Sequence, residues 1–299
     1  MIDLIYFLKR NTLAAVGVGI LALLLVAVIV GPFLVQSPIA IDMGAKLQAP
    51  GPGHWLGTDN FGRDMLSRII HGGRYTLAIG ILVVGIAFVI GVFFGIVAGF
   101  TGGILDMVIM RIVDAMLSFP ALVLAIALAA AFGPSLENAM IAVAITLAPQ
   151  FARVARSQAL AVSSRLYVDA ANALGLPRRQ ILIRYVLINS IGPLLVQASL
   201  NVGSAILQTA SLGFLGLGAQ PPMPEWGADV SANLAFVRSS PWTALGPGFA
   251  IFLAVLSFNL IGDAMADWFN PRRRSQIGCP PKPHPPSRSK RSIFCPPTT

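Results

Sequence analysis

The chain has 299 residues, 56% of them hydrophobic and only 11% charged, with a mean hydropathy of +0.77. A soluble domain carries about a quarter of its residues as charges, so this composition excludes an ordinary water-soluble globule. The formal charge of +9 would suggest nucleic acid in a soluble protein, but no platform of interleaved basic and aromatic residues is present and no nucleic-acid partner is expected.

Lys9 and Arg10 precede an apolar run over 13–35. The run is longer than the core of a cleaved signal and long enough to span a bilayer, so it is read as a retained first helix. Further runs at 76–100, 107–132, 138–158, 187–212 and 246–268 complete six predicted spans. They are long and continuous rather than alternating, which favours helices over a barrel. The fold class is therefore all-α, a polytopic membrane protein with six transmembrane helices. Residues 1–75 are read as the first helix and an outside loop, 76–270 as a five-helix core with a cytoplasmic loop at about 153–186, and 271–299 as a basic, Pro-rich cytoplasmic tail expected to be disordered.

Orientation follows from the cations. With the N-terminus inside, the cytoplasmic segments hold twelve of them, including Arg111, Arg153, Arg156, Arg165, Arg184 and Arg272–Arg274. The outside segments hold five: Lys46, Arg63, Arg68, Arg74 and Arg238. Both termini are expected in the cytoplasm. Cys279 and Cys295, in the tail, are then not expected to form a structural disulfide. His54, His71 and His284 are scattered, and no metal site is expected.

Within the spans, Gly91, Gly95 and Gly99 recur every four residues, a pattern for close helix packing or, alternatively, a flexible gate. Arg111 and Asp114 are three apart and can pair, and Pro120 is expected to kink the third helix. In the fifth span Gln197, Asn201, Ser204, Gln208 and Ser211 fall on one stripe. Such a stripe either lines a translocation path or hydrogen-bonds a partner helix.

Residues 153–186 form a polar interruption of about 34 residues, too long to lack structure. Val168–Leu174 can form a short helix, Gly175 can end it in a left-handed conformation, and Pro177 suits the first turn of the next. The small residues Ala170, Ala171 and Ala173 would let this element enter a groove on a cytoplasmic partner, or the pair could lie on the lipid surface.

This passage resembles the cytoplasmic EAA loop of ABC-importer permeases. Asp169-Ala170-Ala171 stands for Glu-Ala-Ala, and Gly175 follows at the family spacing. Tyr185 stands where Ile is usual and Ile188 where Pro is usual. "LGTDNFGRDMLSRIIHGGRYTL" (56–77) and "SLGFLGLGAQPPMPEWG" (211–227) resemble two further signatures of the dipeptide/oligopeptide/nickel permease family, and the N-terminal helix with its long outside loop is similar to the C-type subunit. The resemblance covers about residues 1–274.

The resemblance implies the type I importer permease fold and ATP-driven import of dipeptides or oligopeptides, with nickel complexes, glutathione or sugars as other cargoes of the same family. It implies a homologous B-type permease as heterodimer partner, two cytoplasmic ABC ATPase subunits and an extracytoplasmic binding protein, in a bacterial or archaeal inner membrane. Asp169, Ala170, Ala171, Gly175, Arg178 and Arg179 would form the ATPase-coupling element. The outside signature would comprise Gly57, Thr58, Asp59, Gly62, Arg63 and Asp64. From the residues alone, Asp59 and Asp64 with Arg63 are read as capping and pairing within the loop, or contacting the binding protein.

No G-x-x-x-x-G-K-[ST] stretch, catalytic triad or carboxylate pair occurs, and "GLGA" at 216–219 follows a membrane helix on the outside. The chain is therefore expected to be non-catalytic and to bind no cofactor itself, ATP and magnesium belonging to the partner ATPases. An ion-coupled secondary carrier is the alternative class. It would favour acidic residues within the membrane, whereas Asp106, Asp114, Asp263 and Asp267 lie near predicted helix ends.

Overall fold

The computed structural model of the chain describes residues 11–269. The expectations for Lys9, Arg10, Arg272–Arg274, His284, Cys279, Cys295 and the 271–299 tail lie outside the described residues. Helix α1 (Thr12–Val30) is apolar on every face and is capped by Asn11, whose side chain accepts from Ala14 N at 3.2 Å. It packs on the last helix, where a Cβ on Gly17 would lie 2.7 Å from that of Leu260.

Helix α2 runs from Met65 to Thr101, 37 residues or about 55 Å, far more than the roughly 30 Å of hydrocarbon. It starts eleven residues before the predicted span. Asp64 accepts from Ser67 N at 2.8 Å and nucleates it early, so the loop after α1 ends there and not at residue 75. Helices α3 (Gly103–Leu117) and α4 (Ala121–Phe132) replace the predicted third span. They are bent by 93° at Pro120, a break rather than the expected kink, because proline removes an amide and clashes with the preceding turn.

Helix α5 (Leu136–Ser163) is capped by Ser135 and runs five residues past its predicted end. The predicted 34-residue loop thereby shrinks to the short helix α6 (Leu166–Ala173), a turn, and α7 (Arg178–Ile181). From α7 the chain continues through a π-helical turn, Leu182–Leu187, into α8 (Ile188–Phe214). Ile188 supplies an amide where the family pattern has proline, and the helix runs through. A loop leads to α9 (Trp226–Asn233), eight residues tucked against α8 and α10 (Trp242–Phe269).

Among the described residues five helical stretches are long and apolar enough to cross a membrane, or six if the bent α3–α4 pair counts as one span. The main core joins α2, α5, α8 and α10 around Val83, Leu147, Phe151, Ile206 and Ala254, with Phe88 and Phe151 edge to face at 5.6 Å. The glycine stripe of α2 sits on α5. A Cβ on Gly91 would lie 2.6 Å from Phe151 Cβ, and one on Gly95 would lie 2.7 Å from Ala155 Cβ. The stripe is therefore a packing seam.

Candidate functional site

The two ends of the bundle carry different chemistry. At one end, α6 lies across the termini of α2 and α5. Val168 and Ala171 turn inward, 2% and 3% exposed, onto a cluster formed by Val92, Ile96, Ala155, Ala159, Val162 and Ile181. Their i, i+3 spacing puts both on one helix face. Gly175 has φ +76°, and its amide and that of Leu176 return to the carbonyls of Asn172 and Ala171, closing the C-terminus. The outward surface is then Asp169, Ala170, Ala173, Leu174 and Gly175. Ala171, expected at the docking surface with Ala170 and Ala173, instead bolts the short helix to the bundle.

Arg178 and Arg179 are exposed beside this helix. Two interhelical ion pairs brace the same end. Arg156 grips Asp106 with two hydrogen bonds, at 2.5 and 2.7 Å, and Arg153 meets Asp114 at 2.7 Å. Asp114 thus pairs across helices with Arg153 rather than along its own helix with Arg111.

The polar stripe of α8 connects the two ends. Gln197 Nε2 donates to Asn201 Oδ1 at 3.2 Å, and Ser211 donates its hydroxyl to Leu207 O at 2.8 Å. Asn201 is buried and Ser204 exposed, so the stripe follows the border between the core and the open face of α8. Asn201 Nδ2 and Gln208 Oε1 are enclosed without a protein partner. Buried polar groups are nearly always paired with protein or water, so these two are the places on the stripe that need another hydrogen-bonding group.

At the opposite end the signature at 57–64 folds on itself. Gly57 and Gly62 adopt φ +71° and +73°, and a Cβ on Gly62 would strike the backbone of Asp42. Thr58 donates its hydroxyl to Ala45 O and accepts from Gln48 N at 2.8 Å. Asp59 accepts from the amides of Phe61 and Arg63 at 2.8 and 2.9 Å and pairs with Arg63 Nε at 2.6 Å. Thr58 and Asp59 are fully buried. The signature side chains organise the loop, which presents Trp55 and Phe61 outward.

Sequence reasoning missed the neighbouring buried cluster. Arg68 on α2 pairs with Asp229 on α9, both nearly sealed from solvent. Trp226 Nε1 donates to Ile69 O at 2.8 Å, its ring resting over Gly72 and Gly73. Glu225 caps α9, accepting from Gly227 N at 2.9 Å and Ala228 N at 2.8 Å. A usable signal existed: an acidic residue in the first turn, here Asp229 shortly after "EWGA", marks a helix start.

Burial lifts the Glu225 carboxyl from 4.5 to about 7; the two amide hydrogen bonds oppose the rise and the Asp229 charge adds to it. The folded state therefore holds this proton more tightly than the unfolded state. Its stabilising contribution is complete below pH 4.5 and is lost as pH rises through 7. The change amounts to about 3 kcal/mol, since each pKa unit is worth about 1.4. Glu225→Gln is expected to flatten that part of the profile, read as thermal stability of detergent-solubilised protein at pH 5 and pH 8. A parallel decline in variant and wild type would show that Glu225 is not the titrating group.

A helical bundle with membrane-length helices and a bolted-on end helix defines the class, a polytopic membrane protein. Residues 91–275 match the family described as binding-protein-dependent transport system inner membrane component, and residues 3–50 match the N-terminal transmembrane domain of oligopeptide transport permease C. The chain belongs to this family of inner-membrane permeases. It is 46% identical to a dipeptide transport system permease protein of Alkalihalophilus pseudofirmus, over 90% of this chain and 88% of that one. It is also 46% identical to a probable D,D-dipeptide transport system permease protein of Escherichia coli, over 90% and 91%. A glutathione transport system permease protein of Pectobacterium atrosepticum is 40% identical over 90% of each. Family membership removes the secondary-carrier alternative, and Asp106 and Asp114, two of the acids near predicted helix ends, are paired with arginines.

Proposed function

We propose that the chain is the C-type permease of an ATP-driven importer of short peptides, pairing with a homologous permease to enclose the path. One of two ATPase subunits docks on the outward face of α6, the other on the partner permease, and a binding protein delivers cargo at the end bearing the 36–64 loop, with the α6 end in the cytoplasm. Asp169, Ala170, Gly175, Arg178 and Arg179 belong to the docking element, and Ala171 belongs to its seat. ATP and magnesium act in the partner subunits. The peptide assignment draws on the relatives, whose named cargoes are a dipeptide, a D,D-dipeptide and the tripeptide glutathione.

The observation that carries this reading is the two-sidedness of α6. Its inner face is sealed into the bundle through Val168 and Ala171, while Leu174 at its tip is 81% exposed. A short helix fixed on one side and bare on the other transmits a push from a partner to α2, α5 and α7 as a rigid body. An exposed apolar tip of this kind suits a central interface anchor, whose loss typically costs 2 kcal/mol or more. Leu174→Asp is expected to leave membrane insertion intact. Uptake and peptide-stimulated ATP hydrolysis of the reconstituted complex should fall at least about tenfold, by the same principle. Normal uptake would refute docking on this surface.

A further inference from the structure

The α6 end also holds a cleft of about 480 Å³, whose interior the transport reading leaves without a role. It opens where α2 ends at Thr101, α5 ends at Ser163 and α7 begins at Arg178. Its floor is apolar, formed by Val97, Phe100 and Leu182, and its rim carries Asn172, Arg178 and Arg179. No acidic residue lines it. Neither arginine has a carboxylate within ion-pair distance among the described residues, whereas Arg63, Arg68, Arg153 and Arg156 all do. Ser163, also in the wall, has an enclosed hydroxyl oxygen without a protein partner.

The level of the cleft identifies its occupant. The apolar run of α2 stops at Phe100, so the floor lies inside the hydrocarbon edge and the rim at the headgroup layer. Paired guanidiniums, planar and permanently charged, match phosphate oxygens well. A free phosphate would use the rim and leave the floor wet. A lipid uses both, with its phosphate between Arg178 and Arg179 and the start of an acyl chain along Val97, Phe100 and Leu182. We infer that this cleft is a binding site for the headgroup of an anionic phospholipid, held between the coupling helix and the end of α2. The inference requires only that the helices span a membrane; the site shares Arg178 and Arg179 with the proposed docking element, and separate lipid and ATPase readouts distinguish the two.

The test is native mass spectrometry of the detergent-purified complex after exchange into micelles doped with phosphatidylglycerol or phosphatidylcholine. Wild type is expected to retain one phosphatidylglycerol per copy and to retain phosphatidylcholine poorly. An interfacial cation is worth about 1 kcal/mol toward an anionic lipid, or roughly fivefold, so R178Q/R179Q should weaken retention about thirtyfold. R111Q, which removes an exposed cation elsewhere at the surface, should not weaken it. Three results would overturn the site: equal retention of both lipids, undiminished phosphatidylglycerol in R178Q/R179Q, or an equal loss in R111Q. Loss of the ATPase subunits from R178Q/R179Q with lipid retention unchanged would reassign the arginines to the protein partner.

Discussion

Replacing Gly95 with leucine is expected to split the seam between α2 and α5 and prevent the chain from accumulating as a folded bundle. The cause is backbone proximity. A Cβ at Gly95 would meet the Ala152 carbonyl carbon at 2.9 Å and Ala155 Cβ at 2.7 Å, and its neighbours Gly91 and Gly99 are equally confined. A flexible side chain could swing aside, but a helix backbone cannot. Relief therefore means moving two helices apart along a contact that runs from Val84 and Val143 to Ile96 and Ala159. In a membrane no hydrophobic force compensates, because lipid tails are as apolar as the core; close packing itself holds such helices together. Overpacking costs about 3 kcal/mol or more when the site cannot yield. Gly85→Ala provides the contrast: nothing lies within 4 Å of its would-be Cβ, and alanine is the better helix former by about 1 kcal/mol. Fluorescence-detected size exclusion of tagged protein should show Gly95→Leu aggregated or absent and Gly85→Ala monodisperse. A monodisperse Gly95→Leu protein with normal melting would show that the seam is looser than its geometry states.

The same seam shows what could be read before the structure. Four-residue glycine spacing marks a face that something must approach, and the partner turned out to be α5. Five of the six spans were legible because lipid demands about twenty apolar residues in a row, and the third is a bent pair of shorter helices. Their ends were not. Gly72, Gly73 and Arg74 look like loop, yet the two glycines are helical and lie under the Trp226 ring. Local pairing rules suggested Arg111 for Asp114 because they are three apart. The actual partner, Arg153, lies 39 residues on, and no periodicity reveals how two helices are rotated against each other. Ala171 illustrates the same limit. The short helix and the Gly175 turn were readable, but which face is bare depends on where Ile181, Val92 and Ala155 lie in space. The Glu225–Asp229–Arg68 cluster was least visible, since it unites residues up to 161 positions apart.

That cluster carries the other large effect. Arg68→Ala is expected to destabilise the solubilised protein by about 3–5 kcal/mol, the usual consequence of leaving one member of a buried ion pair behind. Arg68 Nε donates to Asp229 Oδ1 at 2.9 Å, and Nη1 reaches Pro38 O at 3.0 Å, so one side chain ties the loop, α2 and α9 together. Asp229 is 1% exposed, and its Oδ2 lacks a protein partner. Burial already raises its pKa, and Arg68 is the main opposing influence. Without the guanidinium, the carboxylate can relieve its charge only by taking up a proton. The deficit of Arg68→Ala should therefore shrink as pH falls from 8 toward 5. It should also shrink in the double variant Arg68→Ala/Asp229→Asn, which removes the stranded charge with little change of shape. Both follow from the sign of the interaction: the pair is held together by a carboxylate that the bundle otherwise disfavours. Thermal melts of the two variants at both pH values decide the matter. If Arg68→Ala is equally unstable at pH 5 and pH 8, and the double variant is worse than the single, then Arg68 acts by packing and by its bond to Pro38. The charge of Asp229 would then not be what holds α9 against the end of α2.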